Sequence, residues 1–120
     1  MVLVIYRGRK IRIHSRKVSL FSTGFIFRTK NTRNIVFNDL KGRDFALTSW
    51  FVFFPFLVLW LDKRKKVVDF RFVKPFELSI NSAKGADCIV EIPINERNRK
   101  IVGFFVGKEK FKNKRWLGKL

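Results

Sequence analysis

A mainly β fold is predicted from this sequence: one compact, barrel-like antiparallel domain with at most one short helix and basic termini. Short runs rich in Val, Ile and Phe recur along the chain, and several alternate with charged residues at the two-residue period of a strand with one wet face. Between them stand turn formers, Arg7-Gly8, Asn38 to Gly42 and Asp62 to Lys65, while Pro75 and Pro93 close two of the runs. The 120 residues are one domain's length, and 47% hydrophobic residues, fifteen Phe and three Trp among them, suffice for a core of large rings. The domain is expected over residues 1–112, with 113–120 as a basic tail.

Val2 to Tyr6 and Ile11 to Ser15 read as a hairpin around Arg7-Gly8-Arg9-Lys10, with Gly in the turn. In its second arm Ile11 and Ile13 alternate with Arg12 and His14, which places the two basic side chains on one face. Phe21 to Arg28 and Asn34 to Phe37 are further short strand candidates. The clearest hairpin runs from Phe56 to Leu61, turns at Asp62 to Lys65 and returns over Lys66 to Val73. Asp opens a tight turn by accepting hydrogen bonds from the backbone downstream of it. In the returning arm Val68, Phe70 and Phe72 are expected inside, Asp69 and Arg71 outside. Lys74-Pro75 ends the arm, because proline restricts its predecessor and donates nothing to a ladder. Asn81 to Gly85 reads as a loop, and Cys88 to Ile92 as a strand closed by Pro93. Ile94 to Lys100 suits a short helical turn, and Ile101 to Val106 a return to β structure.

The uncharged stretch Phe45 to Leu61, bracketed by Asp44 and Asp62, tests the soluble reading. As a helix it would reach about 26 Å at ~1.5 Å per residue, short of the ~30 Å hydrocarbon core of a bilayer. Pro55 near its centre and its Phe, Val and Trp favour two short buried strands meeting at Pro55. A membrane-anchored helix is the alternative.

Charge gives the clearest functional signal. From Met1 to Arg33 there are nine Lys/Arg and no Asp or Glu, and from Arg97 to Leu120 nine more opposed only by Glu109, while the middle is nearly balanced. Most of the formal +18 therefore sits at the two ends, a distribution that attracts polyanions. A single cysteine, Cys88, allows no internal disulfide, and the first residues are too short an apolar run for a signal peptide. A cytoplasmic protein is expected.

Several segments in order resemble the small archaeal members of the family called domain of unknown function 192. They are FVFFPFLVLWLDKRKKVVDF (Phe51 to Phe70), KPFELSI (Lys74 to Ile80), CIVEIP (Cys88 to Pro93) and GFFVGKEKF (Gly103 to Phe111), with a weaker echo in GFIFR (Gly24 to Arg28). The resemblance spans roughly residues 20 to 112. It implies a mostly β, barrel-like domain and favours buried strands in Phe45 to Leu61, but supplies no activity. The family commonly has Asp where this chain has Leu57, Gly where it has Asn95, and Gly-Asp where it has Gly107-Lys108. An acidic site built on those positions would be lost here.

No catalytic or metal-binding constellation is legible. His14 is the single histidine and has no acid beside it to orient it as a general base. Cys88 lies in an apolar run next to Asp87, which disfavours a reactive thiolate, so it reads as a small core residue. Scattered carboxylates match no zinc or calcium spacing, and the seven glycines form no phosphate loop. Neither a cofactor nor a metal is expected, and the protein reads as a non-enzyme.

The residues expected to carry binding are therefore the cations of the two ends. Arg7, Arg9, Lys10, Arg12, Arg16 and Lys17 surround the first hairpin, and Lys108, Lys110, Lys112, Lys114 and Arg115, interleaved with Trp116, form the tail. Lys and Arg neutralise phosphates, and rings beside them stack on bases. Structured RNA is the expected partner, with a ribosomal or other ribonucleoprotein setting suggested by composition. An anionic membrane surface, met by the basic ends with Phe51 to Trp60 in the interface, is the runner-up. A small-ligand site or enzyme inside the body would need a polar pocket near Thr48, Ser49 and Asp69.

Overall fold

Val2–Tyr6 (β1) and Arg9–Ile13 (β2) form a hairpin in which Tyr6 pairs with Arg9 and Val2 with Ile13. The computed structural model describes residues 2–18, 31–38, 52, 54–75 and 86–106. The hairpin turn is tighter than the sequence suggested. Arg7 and Gly8 alone make it, at φ of 49° and 75°, the two successive positive values that match the twist of the flanking strands. The second arm stops at Ile13, and after His14 the chain enters a different strand, Ser15–Val18 (β3), rather than continuing the first.

β3 begins a five-stranded sheet with Asn34–Phe37 (β4), Phe56–Leu61 (β5), Val67–Val73 (β6) and Cys88–Pro93 (β7), in the order β3-β4-β7-β5-β6. The mainly β prediction holds, with two corrections. First, β3 and β4 run parallel, while the other pairs are antiparallel. A parallel partner requires a connection of roughly a dozen residues or more, and residues 19–33 are long enough to supply one. Second, the sheets form no closed barrel among the described residues. They meet through one parallel bridge, Ile5 to Lys66, with the Ile5 amide donating to the Lys65 carbonyl at 2.8 Å.

The β5–β6 hairpin follows the sequence expectation closely. Asp62 Oδ1 accepts from the amides of Arg64 (2.8 Å) and Lys66 (3.0 Å), and Lys65 takes a positive φ of 66° to close the turn. A register shift beside Trp60 and Leu61 corrects the inside–outside pattern: Trp60 pairs with Asp69 but Leu61 with Val67, so Val68 is bulged out and 46% exposed. Phe70 and Phe72 remain half-buried against the core. β6 ends at Val73, before Lys74-Pro75, as expected.

β5 and β7 are buried along their whole length because both of their faces are covered. On one face Leu57, Leu59, Leu61, Cys88, Val90 and Ile92 pack with Val2, Val4 and Ile13 of the hairpin and with Ile94, Val102 and Phe105. On the other, Phe56, Val58, Trp60 and Ile89 pack with Ile35, Phe37, Val52, Phe54, Val73 and Ala86. Full burial of each such aliphatic or aromatic side chain contributes roughly 1.5–3 kcal/mol. Thus the end of the Phe45 to Leu61 stretch is a central strand. Val52 and Phe54 are buried but lie outside any strand, so the expected strand before Pro55 is not formed at those positions; Phe45 to Phe51 and Phe53 lie outside the described residues. No described helix is long and apolar enough to cross a membrane.

The C-terminal correction is the larger one. Ile101 to Val106 is not a strand but the body of a helix, Arg99–Val106 (α1), entered through a 3-10 turn at Glu96–Asn98. Asn95 starts it, its side chain accepting the Asn98 amide at 2.9 Å. Val102 and Phe105, three residues apart, are buried as one face of the helix against the first cluster. The candidate strand Phe21 to Arg28, the Asn81 to Gly85 loop and most of the Asn38 to Gly42 loop lie outside the described residues.

Candidate functional site

Where β2 hands over to β3, the chain turns a corner at His14, and the entry to β4 and the start of α1 lie against that corner. Between them is a cleft of about 470 Å³ lined by Arg12, His14, Ser15, Arg33, Asn34, Arg97, Asn98 and Ile101. Its floor is a saturated amide pair. Asn34 Nδ2 donates to Asn98 Oδ1 (3.1 Å) and to the His14 carbonyl (2.9 Å), while Asn98 Nδ2 donates to Asn34 Oδ1 (2.8 Å) and to the Pro93 carbonyl (2.8 Å). Both side chains are buried, and paired amides are how a core tolerates such groups.

The walls are cationic. Arg12, His14, Arg33 and Arg97 are exposed at the cleft, and no carboxylate lines it among the described residues. Glu96, the nearest acid in sequence to Arg97, is instead 3.7 Å from Arg99 on the helix surface. Arg97 is held in place by its Nη2, which donates to the carbonyls of Asn31 (2.6 Å) and Thr32 (3.0 Å) and so ties the approach to β4 to the helix start. Ser15 Oγ, at the wall, is buried and has no hydrogen-bond partner among the described residues.

The cations singled out in the sequence do not form one patch. Arg12 and His14 share the cleft, as their alternation predicted. Arg7 and Arg9 instead lie over rings, Arg7 5.2 Å from the centre of Tyr6 and Arg9 5.9 Å from that of Phe104. Those rings belong to a cluster of Tyr6, Phe70, Phe104 and Phe105, with centroids 4.8–5.8 Å apart. Lys17 lines a second cleft of about 410 Å³ with Lys65, Asn38 and Leu3. Arg16 occupies the alternate position on β3 and projects from the opposite face of the sheet. Lys10 is exposed on the hairpin. Lys108, Lys110, Lys112, Lys114, Arg115 and Trp116 lie outside the described residues, as do Thr48 and Ser49.

Arg33 and Arg97 belong to the basic ends, and nothing local in the sequence marks either as a site residue. They are 64 positions apart, and two sets of tertiary hydrogen bonds bring them together: the Asn34–Asn98 pair, which joins their chain neighbours, and the bonds from Arg97 to the Asn31 and Thr32 carbonyls. Of the positions departing from the family pattern, Leu57 is fully buried in the core and Asn95 is the cap before α1; Lys108 lies outside the described residues. Cys88 is buried, its Sγ 3.2 Å from Asn38 Oδ1. No group of three or more His, Cys, Asp or Glu is placed to hold a metal among the described residues.

One further acid is unusual. Glu91, at the middle of β7, is 4% exposed between Ile35 of β4 and Val58 of β5, and burial pushes its carboxyl up to about 8.

No family model and no curated protein matches this chain. Two solved structures share its fold. One is a protein of unknown function from Novosphingobium aromaticivorans DSM 12444, with a TM-score of 0.66 and 11% identity over 83% of this chain and 75% of its own. The other, from Sinorhizobium meliloti 1021, is provisionally described as a transcription regulator; it has a TM-score of 0.66 and 17% identity over 84% of this chain and 82% of its own. At these identities the likeness shows the fold alone.

Proposed function

We propose that this chain is a non-enzymatic, cytoplasmic RNA-binding domain, a divergent relative of domain of unknown function 192, that engages structured RNA through its basic ends within a ribonucleoprotein. The observation that carries this reading is the state of the N-terminal cations. Arg7, Arg9, Lys10, Arg12, Arg16 and Lys17 are all exposed, and none makes an ion pair among the described residues. Cations without neutralising acids raise the potential over a surface and are relieved by a polyanion. They are also spread over more than one face, which suits a folded RNA that wraps a small body better than a flat surface. The rings available for an interfacial membrane reading are few in the described part of Phe51 to Trp60, where Val52, Phe54 and Phe56 to Trp60 are at most 3% exposed.

Fluorescence anisotropy against a structured RNA, duplex DNA and anionic vesicles, each across a salt series, tests the proposal. RNA should bind most tightly, with affinity falling steeply as salt rises. Duplex DNA is the natural control, given how the Sinorhizobium protein is described. Equal or tighter binding to DNA or vesicles, or no binding at moderate salt, would sink the RNA reading.

A further inference from the structure

We infer that the cleft at the β2–β3 corner is a nucleotide-phosphate site, in which Arg12, Arg33 and Arg97 hold phosphate oxygens against the wall formed by His14, Ser15 and Ile101. The inference deepens the RNA-binding reading and rests on it, since it names the contact that reading lacks. Three arginines from separate parts of the chain line one concavity, with no acid in its lining among the described residues. Guanidinium is the side chain best matched to phosphate, because its planar fork donates two parallel charge-assisted bonds.

Three further features separate this cleft from a chance meeting of surface arginines. Arg97 is fixed before any ligand arrives: two carbonyls occupy Nη2, so it keeps Nε and Nη1 as single donors, and the two-pronged contact falls to Arg12 and Arg33. Beneath it the Asn34–Asn98 pair has both of its amide groups committed to protein partners, so it positions the walls and does not contact the ligand. The Ser15 hydroxyl, buried at the wall without a partner among the described residues, is an unsatisfied group that reaches a ligand by rotating into the cleft. At about 470 Å³ the cleft falls within the roughly 300–1,000 Å³ range of small-molecule sites, room for a phosphate with its sugar and base. Ile101 offers an apolar contact for that base or sugar, and the His14 ring a stacking surface.

The phosphate can come from inside an RNA chain or from its end, and the experiment separates these sources. Isotope-labelled full-length protein is titrated with inorganic phosphate, with a nucleoside 5′-monophosphate, and with one RNA hairpin in 5′-hydroxyl and 5′-phosphate forms, following the His14 ring and the Asn34 and Asn98 side-chain amides. The mononucleotide should move those signals and bind more tightly than inorganic phosphate. In Arg12→Gln/Arg33→Gln its affinity should fall about tenfold or more, the hydrogen bonds lost being charge-assisted. Both residues are exposed, and an unchanged urea midpoint would show that the fold is intact. The salt slope of hairpin binding should shrink by about one for each phosphate contact removed. A preference for the phosphorylated hairpin upholds the site as one for a chain end, and equal affinity with shifted cleft signals upholds it for an internal phosphodiester. Mononucleotide that leaves the cleft signals unmoved, or that binds the double variant as tightly as the parent, overturns the site, even if hairpin RNA still binds elsewhere. Mononucleotide bound in the cleft without any RNA binding would uphold the site and overturn the RNA reading instead.

Discussion

Asn34 and Asn98 exchange two hydrogen bonds, at 3.1 and 2.8 Å, across a separation of 64 residues, and so fasten the first residue of β4 to the last residue of the turn that starts α1. Both amides are buried, so each depends on the other for partners that water no longer supplies.

Asn98→Ala should therefore destabilise the domain by about 1–3 kcal/mol, the range for leaving a buried polar partner unsatisfied. It strands Asn34 Oδ1 and the Pro93 carbonyl together. Urea unfolding would show a lower midpoint at unchanged slope. An unchanged midpoint would mean that the pair is not structural.

The β5–β6 turn allows two opposed substitutions. Asp62→Ala removes the acceptor of two backbone amides and should destabilise by ~1 kcal/mol. Lys65→Gly relieves a side chain held at positive φ and should stabilise by up to about 1 kcal/mol, unfolded-state entropy offsetting part of the gain. Thermal melts of both variants check the pair, and shifts in the same direction would contradict the assignment of the turn.

Phe105 sits at the centre of the aromatic cluster, touching Tyr6, Phe70 and Phe104, and is 7% exposed. Phe105→Ala should cost about 3–5 kcal/mol and loosen α1 from the hairpin. Phe104→Ala, at a half-buried ring, should cost clearly less. Chemical denaturation of the two variants would rank them, and equal losses would show that the helix packs differently.

Elements with local signals were legible in the sequence. The Asp62 turn, β4, β7 and the β5–β6 pairing each announce themselves through residues a few positions apart, and all are present. What escaped was decided at longer range. Ile101 to Val106 carries β-prone side chains, yet the Asn95 cap and the spacing of Val102 and Phe105 against a core supplied by the other strands make it helical. Val68 departs from the alternation because a bulge interrupts it, and a bulge leaves no mark in VVDFRFV. Within the candidate site, Arg12 and His14 were placed together by alternation alone, whereas Arg33 and Arg97 reach it only through the tertiary fold. Separation in sequence is what hid them.

Glu91 makes stability depend on pH in a direction opposite to that of most carboxylates. It is buried between aliphatic neighbours, and its carboxyl is pushed up to about 8 from an ordinary 4.5, so between those values the folded protein keeps a proton that the unfolded chain has released. The unfolded state then binds fewer protons, and stability falls as pH rises, by about 1.4 kcal/mol per pH unit at most. The contribution is complete below about pH 4.5, declines through neutrality and is gone above about pH 8. Glu91→Gln keeps the shape and removes the titration. Its stability relative to the parent should rise from pH 5 to about pH 8 and level off above that, so that the variant is the more stable protein at the alkaline end. Urea midpoints of both proteins at each pH give the comparison, with every other titrating group common to the two. A parent–variant difference that stays constant across that range would mean that Glu91 is already ionised in the fold, with a compensating partner close to β7.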